Sequence, residues 1–107
     1  MKPRDLLTGT HPLLSDRVRL AIMATVAAVA DPMDFNALRA ALDLTKGNLA
    51  SHVRKLQDAG LVHVHKEIVG RKTRTTYTVT DLGRQEVRNY LEKVESLLKG
   101  ALTGAGT

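Results

Sequence analysis

Residues 45–80, TKGNLASHVRKLQDAGLVHVHKEIVGRKTRTTYTVT, change their hydrophobic period partway along, and that change decides the fold. In the first part Leu49, Val53 and Leu56 recur at four and three residues, the spacing of one face of an α-helix. Thr45 is placed to cap this helix. Gly60 is placed to stop it after Ala59, because glycine readily takes the left-handed conformation that closes a helix. From Leu61 to Val69 the period falls to two, with Val62 and Val64 on one face and His63 and His65 on the other. Val69-Gly70-Arg71-Lys72 is a turn signal. Thr73–Thr80 is a second run rich in β-branched residues, with Tyr77 and Val79 on one face. The stretch reads as a helix followed by an antiparallel hairpin.

Downstream, Thr80 caps a last helix that begins near Asp81. Gly100 is expected to end it, and the Gly-, Ala- and Thr-rich tail 101–107 to fray. Upstream, Asp43-Leu44 forms a tight turn after a short helix through Leu42, capped by Asp34 or Asn36, with Leu38 and Leu42 facing inward. Met33-Asp34-Phe35 reads as an extended link. Before it, Asp16–Ala30 has helical periodicity, with Ser15 as cap and Val18, Ile22, Val26 and Val29 as a stripe. Leu20, Met23, Ala24 and Ala27 widen the stripe, which predicts burial on more than one side, and Asp31-Pro32 ends the helix. Residues 1–14 read as an arm anchored by Leu6, Leu7, Leu13 and Leu14. Arm 1–14, domain 15–100 and tail 101–107 are the expected divisions. Three helices, a hairpin and a helix make a mainly α winged helix-turn-helix with an added C-terminal helix.

The chain has 107 residues, no cysteine and 3% aromatic residues. One domain is the default at this length. The missing thiols exclude disulfides, thiol catalysis and cysteine-based metal centres. The scarcity of aromatic rings counts against a stacking surface for single-stranded nucleic acid. The N-terminus lacks the pattern of a signal peptide, and the longest apolar run, Leu20–Ala30, falls short of the ~20 residues that cross a bilayer. A cytoplasmic location is expected.

Net charge is +5, from 16 basic and 11 acidic residues. Residues 45–75 hold seven of the bases (Lys46, Arg54, Lys55, Lys66, Arg71, Lys72, Arg74) but only Asp58 and Glu67 as acids. The whole excess therefore lies on two adjacent elements, the footprint expected for a polyanion. On a helical wheel Gly47, Asn48, Ser51, Arg54, Lys55 and Asp58 oppose the buried stripe, with Lys46 and His52 at its flanks. Such a face suits a major groove. Lys46, Asn48 and Ser51 are the candidates for base edges; Arg54, Lys55 and the helix start, with Thr45, suit phosphate, and His52 either touches phosphate or packs at the helix boundary. Gly47 has two readings, close passage of a DNA backbone or fraying of the first turn. Lys66, Arg71, Lys72 and Arg74 would place the hairpin along a minor groove or along phosphates. Taken singly, a basic helix face or a lysine-bearing strand is often no more than a solvated surface.

His63 and His65 share a strand face, but only Glu67 joins them in register, so surface or interface roles are favoured over metal binding. No metal, cofactor or catalytic constellation is expected, and Ser15, Ser51 and Ser96 each have a cap or helix-surface explanation. The last helix carries Val87, Tyr90, Leu91, Val94, Leu97 and Leu98 beyond what its own core needs, which points to self-association. Leu13, Leu14 and Leu20 are candidates for the same dimer contact. Glu92, Lys93, Glu95 and Lys99 mix the charges of the other face, unlike a membrane-surface helix.

The segment Leu44–Val62, with Lys46-Gly47-Asn48-Leu49 at its helix start, resembles the helix-turn-helix core of small bacterial and archaeal winged-helix transcriptional regulators. It is similar to the MarR and ArsR groups, and most to a stand-alone subgroup with Gly-Asn-Leu in the recognition helix and Val-Gly-Arg-Lys in the wing. Val69–Thr73 resembles that wing, Tyr77–Arg84 the strand entering the last helix, and Asp34–Leu38 the opening of the second helix. The likeness spans about residues 13–95. It implies a regulator, commonly homodimeric, that reads an inverted repeat of double-stranded DNA; a repressor is the expected role, although the sequence does not separate repression from activation. The absent cysteines depart from the metal-sensing ArsR pattern, and nothing in the chain indicates a small-molecule effector. The competing reading is a protein-interaction or non-specific nucleic-acid module on the same scaffold.

Overall fold

In the computed structural model, which describes residues 7–104, a short 3-10 turn at Pro12–Ser15 leads into α1 (Arg17–Ala27). The cap is Asp16 rather than Ser15. One Asp16 carboxylate oxygen accepts from the backbone N–H of Val18 at 2.9 Å and of Arg19 at 3.0 Å, whereas the Ser15 hydroxyl donates to the Pro12 carbonyl. The N–H of Arg19, above all, holds the Asp16 carboxyl below its ordinary range. The helix stops at Ala27, short of the expected Ala30, because Pro32 has no N–H for the Ala28 carbonyl and its ring would clash there. Val29, assigned to the buried stripe, is consequently 43% exposed.

The link at Met33-Asp34 is a two-residue strand, β1, and Phe35 opens the next helix, α2 (Phe35–Leu42), instead of extending the link. Asp34 caps α2 by accepting from the N–H groups of Asn36 and Ala37. Asp43 takes the left-handed conformation (φ 52°) and closes it. After Thr45 comes α3 (Lys46–Asp58). It ends in a Schellman motif: the Leu61 N–H donates to Leu56, the Gly60 N–H donates to Gln57, and Gly60 sits at φ 76°. Leu56 and Leu61, which that motif brings together, are both fully buried.

β2 (Val62–Val69) and β3 (Lys72–Val79) form the hairpin, and β3 lies between β1 and β2 in an antiparallel sheet. Met33 pairs with Tyr77 and Val62 with Val79. Leu14, Ile22, Met23, Val26 and Leu38 meet Leu49, Val53, Leu56, Leu61, Val62 and Tyr77 in one core. Phe35 packs tilted on Tyr77, with ring centroids 6.3 Å apart. Burial, and after it the Asp34 carboxylate, pushes the Tyr77 hydroxyl pKa up.

α4 (Asp81–Thr103) passes through Gly100, where it was expected to end, and stops at Gly104 in the left-handed conformation (φ 67°). Residues 101–103 of the expected tail are thus helical; residues 105–107, like Leu6 of the arm, lie outside the described residues. The 23 residues of α4 span about 34 Å. They help give the chain its long axis of 63 Å and its radius of gyration of 16.1 Å, against about 13 Å for a compact chain of this length. Among the described residues no helix is long and apolar enough to cross a membrane.

Candidate nucleic-acid interface

Burying Leu49, Val53 and Leu56 fixes the rotation of α3 about its axis, and so dictates what its other side presents. Lys46, Gly47, Asn48, Ser51, Arg54, Lys55 and Asp58 are all exposed there, in the order the wheel predicts. Thr45 lies just before them, its hydroxyl accepting from the Asn48 N–H at 3.1 Å. A Cβ built on Gly47 meets nothing within 4 Å, so no part of the chain itself demands glycine at that position. His52 departs from this row. It is half-buried and turns toward α1, its Nδ1 lying 3.5 Å from a guanidinium nitrogen of Arg19. Arg19 in turn donates through Nε to the Leu13 carbonyl at 2.9 Å, so His52 belongs to a strut between α3 and the N-terminal segment.

Beside α3 stands the hairpin. Gly70 alone of its two central turn residues has positive φ (66°), as a type II′ turn requires at its first central position. The register puts Lys66 opposite Thr75 and Ile68 opposite Thr73, on the same face of the sheet as Val64 and Tyr77. That face borders a groove of about 210 Å³ against α3, lined by Arg54, Gln57, Val64, Lys66, Thr75 and Tyr77. Gln57 and Thr75 are members that the sequence alone did not single out. Their signals were present, since Gln57 lies one helical turn after Arg54 and Thr75 is the cross-strand partner of Lys66.

Arg74 projects from the other face. Its guanidinium lies 3.7 Å from the Asp34 carboxylate and 3.9 Å from that of Glu67, so the base expected to contact DNA is held in ion pairs partway along the hairpin. Lys46, Arg54, Lys55, Lys66, Arg71 and Lys72 make no ion pair among the described residues. The structure therefore brings six unneutralised cations to α3 and the hairpin, and sets the seventh apart. His63 and His65 are exposed on the Arg74 side, and His65 approaches Glu67 at 4.0 Å. Among the described residues no group of three or more His, Asp or Glu is arranged to hold a metal ion.

Of the residues assigned to self-association, Leu14 is fully buried in the chain's own core, because the 3-10 turn folds it under α1. Leu13, Leu20, Val87 and Tyr90 are half-buried against that core. Val94 and Leu97 are half-buried, while Leu91 and Leu98 are 53% and 57% exposed, and Leu102, which lies beyond the glycine expected to end the helix, is 86% exposed. Leu91, Leu98 and Leu102 recur at seven and four residues along α4, so the stripe continues past the domain.

Comparison with known proteins agrees with this geometry. A family model described as a winged helix DNA-binding domain matches residues 18–98. An uncharacterized protein of Methanocaldococcus jannaschii is 33% identical over 82 residues, covering 77% of this chain and 88% of its own. A transcriptional regulator homologue from Pyrococcus horikoshii is 31% identical and superposes with a TM-score of 0.79, over 92% of this chain and 94% of that one. Staphylococcus aureus MepR, in a complex with DNA, shares the fold at 15% identity and a TM-score of 0.71, over 88% and 79% of the two chains. The matched span takes in α3, the hairpin and most of α4, and this chain belongs to the winged helix DNA-binding domain family.

Proposed function

We propose that this protein is a sequence-specific, homodimeric transcriptional regulator that represses by occupying double-stranded DNA. The observation that carries the reading is the row of unpaired cations shared by the outward face of α3 and the hairpin. α3 enters the major groove, where Lys46, Asn48 and Ser51 meet base edges. Arg54, Lys55 and the Thr45-capped helix start hold phosphates. Lys66, Arg71 and Lys72 follow the adjacent backbone or minor groove. Two copies joined through the far half of α4, at Leu91, Leu98 and Leu102, set two α3 helices about 34 Å apart, one turn of DNA. The chain works in the cytoplasm, by binding rather than catalysis.

Fluorescence anisotropy with the DNA upstream of the protein's own gene, beside a scrambled duplex of equal composition, tests this at several salt concentrations. Tighter binding to the native duplex at physiological salt is expected. Equal binding to both, vanishing with salt, would favour a non-specific or protein-directed role for the basic face.

A further inference from the structure

Most of the large apolar residues that the described chain leaves exposed are explained by position: Leu82, Leu91, Leu98 and Leu102 lie along α4, and Val29 follows the early end of α1. Ile68 and Val69 have no such explanation. They sit at the tip of the hairpin, 81% and 56% exposed, immediately before the Gly70-Arg71 turn. Cations border them: Lys66 on the same strand, Arg71 in the turn, and Lys72 opposite Val69. The one nearby acid, Glu67, is occupied by Arg74 and His65 on the other face. Ile68 beside Lys66 on one face, with Arg71 in the turn and Lys72 on the opposite face of the tip, fits a polyanion that also offers an apolar surface.

The groove floor of duplex DNA is such a surface. Ile68 shares its sheet face with Lys66, on the side turned toward α3, and lies roughly 7 Å further out along β2. A minor groove is about 6 Å wide, too narrow to admit a two-stranded ribbon but wide enough for one side chain from its end. Aliphatic side chains inserted there wedge against base steps and kink the duplex. Arg71 and Lys72 would meanwhile hold the phosphates on either rim.

We propose that Ile68 is an apolar minor-groove wedge, positioned by Arg71 and Lys72, and that it gives the wing a preference for base pairs without an amino group on the groove floor. The proposal rests on the DNA-binding reading above and adds a specificity-determining residue to it.

Two duplexes of about two helical turns separate the possibilities, one of alternating guanine and cytosine, the other of alternating inosine and cytosine. They present the same major-groove edges and differ by the guanine amino group in the minor groove. Wild-type protein should bind the inosine duplex roughly five- to tenfold more tightly. Ile68→Ser should abolish that preference while leaving the salt dependence unchanged, and Ile68→Val should keep most of it. Equal binding of both duplexes by the wild type, or a preference that survives in Ile68→Ser, overturns the wedge while leaving DNA binding intact. Binding of neither duplex even at low salt, where six unpaired cations should hold any duplex, overturns the DNA-binding reading itself. A shift in sedimentation mass for Ile68→Ser would make the residue a contact between copies, and the wedge would fall.

Discussion

The Thr80 hydroxyl joins three segments of backbone. It donates to the Gly60 carbonyl at 2.6 Å, and it accepts from the Gly83 N–H at 2.9 Å. The Thr80 N–H meanwhile donates to the Leu61 carbonyl at 3.1 Å. The start of α4 is thus tied to the turn that ends α3. Gly83 makes the closeness possible, since a Cβ there would overlap the Leu61 carbonyl oxygen and come within 2.9 Å of Val79 Cγ2. Gly83→Ala should destabilise the fold by about 1–3 kcal/mol, as overpacking does. Thr80→Val should cost about 1–2 kcal/mol, with Thr80→Ser near wild type. Urea unfolding of the three variants checks both. Asp43 offers the opposite case. Its left-handed backbone is unfavourable for a residue with a Cβ, so Asp43→Gly should stabilise the fold by about 0.5–1 kcal/mol and raise the unfolding midpoint. Asp16 gives a pH signature. Its pKa in the folded chain lies below the ordinary 3.8, so its contribution is complete above that value and is lost as pH falls through the folded-state pKa. Asp16→Asn keeps an acceptor oxygen without the titration, so the gap in melting temperature between wild type and variant should close on acidification below 3.8.

At the scale of elements, α3 and the hairpin should separate in their effects on binding. Arg71→Ala with Lys72→Ala should weaken binding to every sequence and lower the salt slope by roughly two, one for each phosphate no longer neutralised. Arg74→Ala should leave that slope nearly unchanged, because its charge is already met by Asp34 and Glu67. On the proposed reading, in which Asn48 meets a base edge, Asn48→Ala should instead compress the ratio between specific and scrambled duplexes. Much of this was readable in the chain. The change of period at Leu61 placed the helix and hairpin, and the alternation of Leu49, Val53 and Leu56 with polar residues placed the exposed face of α3. A two-residue turn at Gly70-Arg71 even implied that Glu67 faces Arg74, and so that Arg74 has an acidic partner across the hairpin. What escaped was set by tertiary neighbours. β1 is too short to show a period and exists because Met33 meets Tyr77. Leu14 looked like one of several arm leucines, and only the 3-10 turn carries it inward. Gly100 resembled a stop, yet a glycine within a helix costs about 1 kcal/mol and is tolerated there, the true stop being Gly104 four residues on.

The molecule as a whole is elongated because α4 outruns the domain that starts it. Leu98→Lys with Leu102→Lys places two charges in the exposed apolar stripe, and should convert a sedimenting dimer to monomer without shifting the circular dichroism of the domain. Monomers keep one α3 each, so affinity for an isolated half-site should survive while affinity for the full repeat collapses by about 10²–10⁴, the advantage that bivalency supplies. The fixed union of Gly83 with Leu61 has a consequence for such a dimer. A helix clamped at its root and joined at its far end is a caliper, whose jaws are the two reading helices. One residue inserted between Tyr90 and Val94 lengthens an arm by about 1.5 Å but swings it through about 100°, so the paired sites it spans would no longer face the same side of the double helix.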